Sequence, residues 1–230
     1  MPLAERCPVR AVILDLDGTL VDSEALHLAA YRHVLASFGV DFTEKDRSAY
    51  VGRAHLDTWV DLQRRHGLPT TPEALVTAKN KCFLEIADPS GMVFPAMRRF
   101  VEGIGDRGLP LAVASGSSRV VVEKVLAGAK LRDSFGVVVS AEEVACGKPA
   151  PDIFLAAAER LGLPPRACVV VEDSPAGVEA AVQAHMRCIA VPSTTEPPLA
   201  SVFTLADHLV AGGMKTFDAT KALAWIDAWK

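Results

Sequence analysis

Short runs of apolar residues, rich in Val, Ile and Ala, recur along the chain. Runs of this length are typical of strands that helices cover on both faces, which is the arrangement of a parallel sheet. The pattern therefore predicts a central sheet of buried strands. The predicted strands are Ala11–Leu14, Leu109–Ala114, Val137–Val139, Cys168–Val171 and Cys188–Val191.

Helical patterns separate the later strands. Ser118–Ala129 and Pro151–Leu161 fit the helical period, and Gly162 directly follows the second of them. A further helix opens at Ser174 and continues to about Met186. This alternation of strand and helix predicts an α/β fold with a doubly wound parallel sheet.

A long interval separates the first predicted strand from the second, and it carries helical patterns instead. Ser23–Phe38 predicts one helix, and another begins near Thr71 and continues through Leu75–Ile86. We therefore predict that residues 22–91 form a helical cap, inserted into a core made of residues 1–21 and 92–230. The expected packing face of the first cap helix is Leu26, Ala30, Val34 and Phe38.

Composition and charge limit the classes of molecule that the protein could bind. The 230 residues are 50% hydrophobic and 23% charged, and the formal net charge is −4. No block of basic residues offers a surface for nucleic acid or anionic lipid. No apolar run approaches the roughly 18 residues that a membrane-spanning helix needs. The five cysteines form no C-x-x-C pair, which is typical of reduced thiols in a cytoplasmic protein.

Polar residues after the predicted strands carry the candidate chemistry. Asp15 and Asp17 follow the first strand, and Glu172 and Asp173 follow the fourth. Because parallel strands present their carboxyl ends at one edge of a sheet, we expect these carboxylates to converge. A hard divalent cation would offset their charge, and an all-oxygen ligand set favours Mg²⁺. The other polar residues expected at this edge are Ser115 and Lys148.

The spacing of Asp15 and Asp17 suggests two different roles. Like charges at close range raise carboxyl pKa values, so one group of the set is expected to hold a proton. Asp17 is the best candidate, because a carboxyl two residues from a nucleophile can protonate a leaving alcohol and later deprotonate water. Asp15 would then attack phosphorus and form an aspartyl-phosphate.

Four motifs in this order resemble those of the haloacid dehalogenase-like hydrolases. The first is Asp15–Leu20, the second is Ser115, the third is Lys148 within Gly147–Asp152, and the fourth is Glu172–Gly177. The resemblance extends over essentially the whole chain. It implies a Rossmann-like core with an inserted helical cap, as in the subgroup that contains β-phosphoglucomutase and small sugar-phosphate phosphatases.

The resemblance also implies a role for each core residue. Asp15 would be the nucleophile, and Asp17 would be the general acid and base whose main-chain carbonyl also binds Mg²⁺. Asp173 would be the second metal carboxylate, and Glu172 an auxiliary or water-mediated ligand. The residues that would hold the transferring phosphoryl group are Ser115, Gly116 through its amide, and Lys148 through its charge.

Cap residues bear on whether the leaving group is released or phosphorylated again. His27 resembles a cap-hinge histidine of the mutase group, and Lys79 belongs to a Lys-Asn pair like the one found there. The mutase pattern has Lys before a cap glycine and Arg three positions after it, whereas this chain has Val51 and His55. These departures favour a phosphatase. Arg53 could contact the substrate phosphate or lie exposed on the cap, and a structural role is open for His27 and His55.

We therefore expect a Mg²⁺-dependent hydrolase of small phosphate monoesters, most simply sugar phosphates, that acts through an aspartyl-phosphate. The alternatives are a sugar phosphomutase with the same covalent chemistry and a non-catalytic binding module on the same fold. The intact set of Asp15, Asp17, Lys148 and Asp173 argues against the binding module. The expected partner is a small phosphorylated metabolite, without nucleic acid or membrane, and the expected state is a monomer or weak dimer.

Overall fold

A six-stranded parallel sheet forms the centre of the computed structural model, which describes residues 7–50 and 54–229. The strands are β1 Ala11–Leu14, β2 Leu111–Ser115, β3 Val137–Ser140, β4 Cys168–Glu172, β5 Arg187–Ala190 and β6 His208–Leu209. Their order in the sheet is β3-β2-β1-β4-β5-β6, and every neighbouring pair is parallel. The chain builds outward from β1 on one side and from β4 on the other, so the topological switch lies between these two strands.

Helices cover both faces of the sheet and fill the interval between β1 and β2. The helices of the described ranges are α1 Glu24–Ala36, α2 Glu44–Ser48, α3 His55–His66, α4 Pro72–Ile86, α5 Pro89–Met92, α6 Pro95–Asp106, α7 Arg119–Gly128, α8 Asp152–Leu161, α9 Pro175–Gln183 and α10 Ala219–Asp227. Helices α6, α7 and α10 pack on one face of the sheet, and α8 and α9 pack on the other. The sheet is therefore doubly wound.

Side chains along β1 alternate between two hydrophobic clusters, because successive residues of a strand point to opposite faces. Val12 and Leu14 pack with α6, α7 and α10, whereas Ala11 and Ile13 pack beneath α8 and α9. All four side chains are fully buried. Burial on both faces explains why the strands are continuous apolar runs without polar alternation.

The segment between β1 and β2 is helical and has a hydrophobic cluster of its own. Helices α1, α3 and α4 contribute most of this cluster, which surrounds the fully buried Trp59. The chain enters and leaves this segment through two neighbouring connections, which are hydrogen-bonded to each other. Asp22 N donates to Met92 O at 2.8 Å. These observations favour the division into a cap of residues 22–91 and a surrounding core, which stays a proposal.

The α/β fold predicted from the sequence pattern is confirmed, and the five predicted strands match β1 to β5 to within two residues. The pattern does not predict β6 or α10. The prediction that Phe38 packs on the first cap helix is wrong, because α1 ends at Ala36 and Phe38 is 36% exposed in the turn that follows. The five cysteines are unpaired. Within the described ranges, no helix has the length and apolar character needed to cross a membrane.

Candidate active site

The carboxyl ends of β1 and β4 place the predicted catalytic residues side by side. Asp15 directly follows β1, and its main-chain N–H donates to Val171 O at 3.0 Å. Glu172 is the last residue of β4, and Asp173 comes next. Parallel register between the two strands brings their carboxylates to one edge, at the switch point where open α/β sheets bind ligands.

Lys148 forms ion pairs with two of the carboxylates at this edge. Its Nζ donates to Asp15 Oδ1 at 2.5 Å, to Glu172 Oε1 at 2.6 Å and to Ala114 O at 3.3 Å. The ammonium group and both carboxylates are buried. We call Asp15, Lys148, Glu172 and Asp173 the acidic cluster. The prediction that these residues converge is thus met by the geometry, although their roles stay predictions.

Burial dominates the protonation equilibria of the acidic cluster. It raises the pKa of Asp15 well above its usual range; nearby Glu172 and Asp17 add to the rise, and Lys148 opposes it. Burial, followed by the negative charges of Glu172 and Asp15, raises the pKa of Asp173. For Lys148, burial alone would lower the pKa, but the two carboxylates outweigh it and raise the pKa. With all three carboxylates ionised, the cluster would carry more negative charge than one lysine can offset.

The donor set of the acidic cluster fits a hard divalent cation. Asp15, Glu172 and Asp173 each offer an oxygen, and these atoms lie within 4.8 Å of one another. Asp173 Oδ1 accepts a hydrogen bond from Thr19 Oγ1 at 3.3 Å, but its Oδ2 is buried and has no partner. A buried carboxylate oxygen without a donor is costly, and a cation would satisfy it. Oxygen-only ligation favours Mg²⁺ over softer metals.

Two glycines of the sequence motifs keep this edge open. A Cβ atom on Gly18 would lie 2.4 Å from Asp173 Oδ2, and its φ of +78° also disfavours other residues. A Cβ atom on Gly177 would lie 1.8 Å from Glu172 Oε1. Neither carboxylate could keep its position if these glycines carried side chains.

Asp17 points away from the acidic cluster, towards the cap. Its Oδ1 accepts from Ser23 Oγ at 2.7 Å and contacts His27 Nε2 at 2.7 Å, while its Oδ2 accepts from Ser117 Oγ at 2.6 Å. Ser115 Oγ also donates to Oδ2, at 3.4 Å. The predicted metal contact of Asp17 is through its main-chain carbonyl, and it stays a prediction.

The surroundings of Asp17 favour its ionised form, whereas the sequence predicts that Asp17 holds the proton of the set. Burial alone would raise the pKa of Asp17, but the contacts with His27, Ser117 and Ser23 outweigh it and hold the pKa well below its usual range. Burial lowers the pKa of His27 to about 4, so its ring is neutral near pH 7. His27 Nδ1 has no partner, which leaves Nε2–H to donate to Asp17.

His55 links the cap to the core beside Asp17. Its Nδ1 lies 2.8 Å from Tyr31 Oη, and its Nε2 lies 3.1 Å from Ser117 Oγ and 3.0 Å from Lys79 Nζ. Burial, followed by the nearby charge of Lys79, lowers the pKa of His55 well below its usual range. We call Asp17, His27, His55 and Lys79 the histidine cluster.

The ligand atoms of Asp17, His27 and His55 also lie close enough together for a metal ion. However, an ammonium group next to His55 Nε2 disfavours a second cation there, and hydrogen bonds already account for the contacts of Asp17. Lys79 is fully buried, and burial lowers its pKa to about 7. The histidine cluster is therefore better suited to hold and move protons than to bind metal.

The three cap residues predicted to contact substrate lie in different surroundings or outside the described residues. His27 lies against Asp17 and stacks on Phe83, with the ring centres 4.4 Å apart. Lys79 lies behind His55 and does not line the cavity above Asp15. Arg53 lies outside the described residues. The direct substrate contacts assigned to His27, Arg53 and Lys79 stay predictions.

The helical segment between β1 and β2 lies against the core above Asp15. His55 N donates to Gly116 O at 3.3 Å, and Asn80 Nδ2 donates to Ser118 Oγ at 2.8 Å. The cavity above Asp15 measures about 20 Å³, which is room for about one water molecule. A cleft of about 290 Å³ lies beside it between cap and core. The residues that line the small cavity are Asp15, Asp17, Glu24, His27, Arg47, His55, Gly116 and Ser117.

Sequence reasoning missed several residues of this site. Ser117 follows Ser115 by two positions and could have been suspected as a second hydroxyl at the end of β2. Ser23 lies beside the first cap helix and offered only the signal of a helix N-cap. Glu24 and Arg47 gave no signal, because their pairing depends on how α1 and α2 pack.

Two relatives illustrate where the chain stands among known proteins. Hexitol phosphatase B of Escherichia coli strain K12 is 37% identical over 191 residues, which cover 80% of this chain and 84% of that protein. SUPPRESSOR OF QUENCHING 1, a chloroplastic protein of Arabidopsis thaliana, is 40% identical over 192 residues. The match covers 81% of this chain, but the chain spans only 18% of that longer protein.

Structural similarity and a family-wide match agree with these relatives. A mutant of CbbY from Rhodobacter sphaeroides in complex with xylulose-(1,5)bisphosphate has a TM-score of 0.79 and 27% identity, covering 91% of this chain and 99% of that one. The family model for haloacid dehalogenase-like hydrolases matches residues 9–185. The resemblance seen in the motifs is therefore confirmed, and the chain belongs to the haloacid dehalogenase-like hydrolase family.

Proposed function

We propose that the protein is a Mg²⁺-dependent phosphatase that hydrolyses small phosphate monoesters, most simply sugar or polyol phosphates, through an aspartyl-phosphate on Asp15. The observation that carries the proposal is the pairing of two carboxylates in different surroundings. Asp15 lies in the acidic cluster with Lys148, and Asp17, two residues later, lies in a separate network of hydrogen-bond donors. One can attack phosphorus while the other exchanges protons.

The first step transfers the phosphoryl group to Asp15. A carboxylate oxygen of Asp15 forms a bond to phosphorus, the ester bond breaks, and Asp17–H donates its proton to the departing oxygen. Lys148 offsets the charge of the phosphoryl oxygens, and Ser115 with the Gly116 amide would donate hydrogen bonds to them. The products of this step are the free alcohol and the aspartyl-phosphate.

The second step releases phosphate and restores both carboxylates. Water attacks phosphorus, and Asp17 accepts its proton while the bond to Asp15 breaks. The ionised Asp17 favoured by Ser23, His27 and Ser117 is the form this step requires. The proton that Asp17 gains here is the one that it gives to the next leaving group, so the proton balance closes over each turnover.

The acidic cluster would hold the cation through Asp15, Asp173, the main-chain carbonyl of Asp17 and, directly or through water, Glu172. Bound Mg²⁺ would supply charge stabilisation for the phosphoryl oxygens. The closed cap would exclude bulk water during the first step, which protects the aspartyl-phosphate from uncontrolled hydrolysis. Substrate entry requires the cap to open, because the cavity above Asp15 admits about one water molecule.

The test is phosphate release from a panel of phosphorylated metabolites with Mg²⁺ present. We expect release from sugar and polyol monophosphates and none from a parallel preparation of Asp15→Asn, which controls for contaminating phosphatases. For β-glucose 1-phosphate, phosphate release should exceed conversion to glucose 6-phosphate, with or without a bisphosphate primer. Faster primed conversion would instead establish the mutase alternative.

Three further predictions from the sequence accompany this proposal. The partner is a small phosphorylated metabolite, with neither nucleic acid nor membrane as a ligand. The protein acts in the cytoplasm. It is a monomer or a weak dimer, which sedimentation at several protein concentrations would test.

A further inference from the structure

Glu24 and Arg47 line the cavity above Asp15, and the chemistry of phosphate transfer uses neither of them. Glu24 opens α1, and Arg47 lies on α2, so both belong to the proposed cap. Arg47 Nη2 lies 3.0 Å from Glu24 Oε2, and the exposed fractions of the two side chains are 8% and 26%. Their position beside Asp17 is where a leaving group would lie.

Arg47 keeps an unused hydrogen-bond donor. Its Nε is buried and has no partner, although the guanidinium is held by Glu24 and lies 5.8 Å from the centre of the Tyr31 ring. A buried N–H without an acceptor is unfavourable, and Arg cannot lose its charge to relieve it. An arginine that is buried, held in place and incompletely satisfied at a cavity wall is suited to bind a ligand oxygen.

We propose that Glu24 and Arg47 bind the hydroxyl groups of the leaving group and thereby select the monophosphates of uncharged polyols and sugars. This inference rests on the proposed phosphatase function. A hydroxyl group is both donor and acceptor, so it can donate to the Glu24 carboxylate and accept from Arg47 Nε–H at the same time.

The charges around the pair disfavour a second phosphate. Arg47 is balanced by Glu24, and it is the one Lys or Arg that lines either the small cavity or the neighbouring cleft among the residues the structure describes. The cleft also carries three carboxylates on its walls, which would repel a dianion. They belong to Asp57, Glu73 and Glu142.

The experiment compares two substrates of equal chain length, sorbitol 6-phosphate and n-hexyl phosphate, in the wild type and in Arg47→Met. A site that hydrogen-bonds substrate hydroxyls rejects an analogue without them. We expect Arg47→Met to lower kcat/KM for sorbitol 6-phosphate by about 10- to 100-fold, as expected for lost charge-assisted hydrogen bonds. The value for n-hexyl phosphate should change by less than about threefold.

Two further variants complete the design. Arg64→Met removes an exposed cap arginine and should leave both kcat/KM values unchanged. Glu24→Gln keeps the shape of the side chain but removes its charge, and it should lower kcat/KM for sorbitol 6-phosphate by about 10-fold with little effect on n-hexyl phosphate. Circular dichroism of each variant identifies any misfolded protein, and Glu24→Gln tests the proposal if Arg47→Met does not fold.

An equal loss for both substrates in the folded variants would assign the pair a structural role and overturn the inference. Preference of the wild type for fructose 1,6-bisphosphate over sorbitol 6-phosphate, lost in Arg47→Met, would also overturn it, because Arg47 would then bind a distal phosphate. In both cases the phosphatase proposal would survive. Absence of Mg²⁺-dependent release from every ester of the metabolite panel would reject the phosphatase proposal, and this inference with it.

Discussion

The acidic cluster contains Asp15, and the histidine cluster contains Asp17, two residues later. The two clusters are built from different parts of the chain. Every member of the acidic cluster comes from the end of a core strand or the loop beyond it, and Lys148 joins Asp15 to Glu172. The histidine cluster combines Asp17 with residues from α1, α3 and α4.

This contrast suggests that the core and the proposed cap serve different parts of the reaction. Phosphate chemistry needs charges at fixed positions, and a sheet edge buried on both faces provides them. Proton transfer to a variable leaving group needs a carboxylate whose surroundings can respond to the cap. The contacts of His55 with Ser117 and of His27 with Asp17 would couple the position of the proposed cap to Asp17, the proposed acid and base.

The largest expected loss of turnover comes from a substitution in the acidic cluster, Asp15→Asn. The amide keeps the shape of the side chain but removes the attacking charge and a metal ligand, so we expect turnover to fall by about three orders of magnitude or more. Thermal unfolding should show that the variant still folds. As a matched control, Asp133→Asn removes an exposed core carboxylate and should keep full turnover. Substantial turnover in pure Asp15→Asn would remove Asp15 as nucleophile.

Metal removal tests whether the acidic cluster needs a cation. Because Asp173 Oδ2 is buried without a partner, we expect chelation to abolish phosphate release and Mg²⁺ to restore it. Ca²⁺ should support activity poorly, since its larger and looser coordination shell misplaces the nucleophile relative to phosphorus. Phosphate release is measured after dialysis against chelator and after each metal is added back. Full activity in excess chelator would contradict the site.

Substitution of His27 sharpens the role of the histidine cluster. His27→Leu removes a hydrogen bond to Asp17, and we expect kcat to fall by about 10- to 100-fold with little change in KM. His27→Gln keeps an N–H donor and should recover part of the loss. Steady-state kinetics of the two variants on one sugar phosphate make the comparison. Equal losses in both variants would mean that ring packing on Phe83 matters more than the hydrogen bond.

Lys79 is expected to affect stability rather than turnover. Burial lowers its pKa to about 7 in the folded protein, whereas a lysine in the unfolded chain titrates near 10.4. Between these values the unfolded chain binds the extra proton, so the free energy of unfolding should rise with pH by up to about 1.4 kcal/mol per unit. Below pH 7 both states are protonated and the contribution of Lys79 no longer changes with pH.

Chemical denaturation of the wild type and of Lys79→Met at several pH values between 7 and 10 measures this dependence. The pH-dependent gain should be present in the wild type and absent from Lys79→Met. Lys81→Met, which removes an exposed lysine from the same helix, should behave as the wild type. Identical pH dependence in all three proteins would contradict the low pKa of Lys79.

The acidic cluster could be predicted from the sequence because strand ends fix its members. Once the apolar runs are recognised as parallel strands, Asp15, Glu172 and Asp173 must share one edge of the sheet. The histidine cluster could be predicted only in part, because the contacts of His55 and Ser117 depend on how the cap meets the core. The pairing of Glu24 with Arg47 left no trace in the spacing of residues.

The most direct measurement of the central claim is the stereochemical course at phosphorus, with a phosphorothioate ester made chiral by oxygen isotopes and hydrolysed in isotopically labelled water. Transfer to Asp15 and then to water consists of two in-line displacements, and each inverts the configuration at phosphorus. The released thiophosphate should therefore show net retention. Net inversion would mean that water attacks the substrate directly, and it would contradict the aspartyl-phosphate.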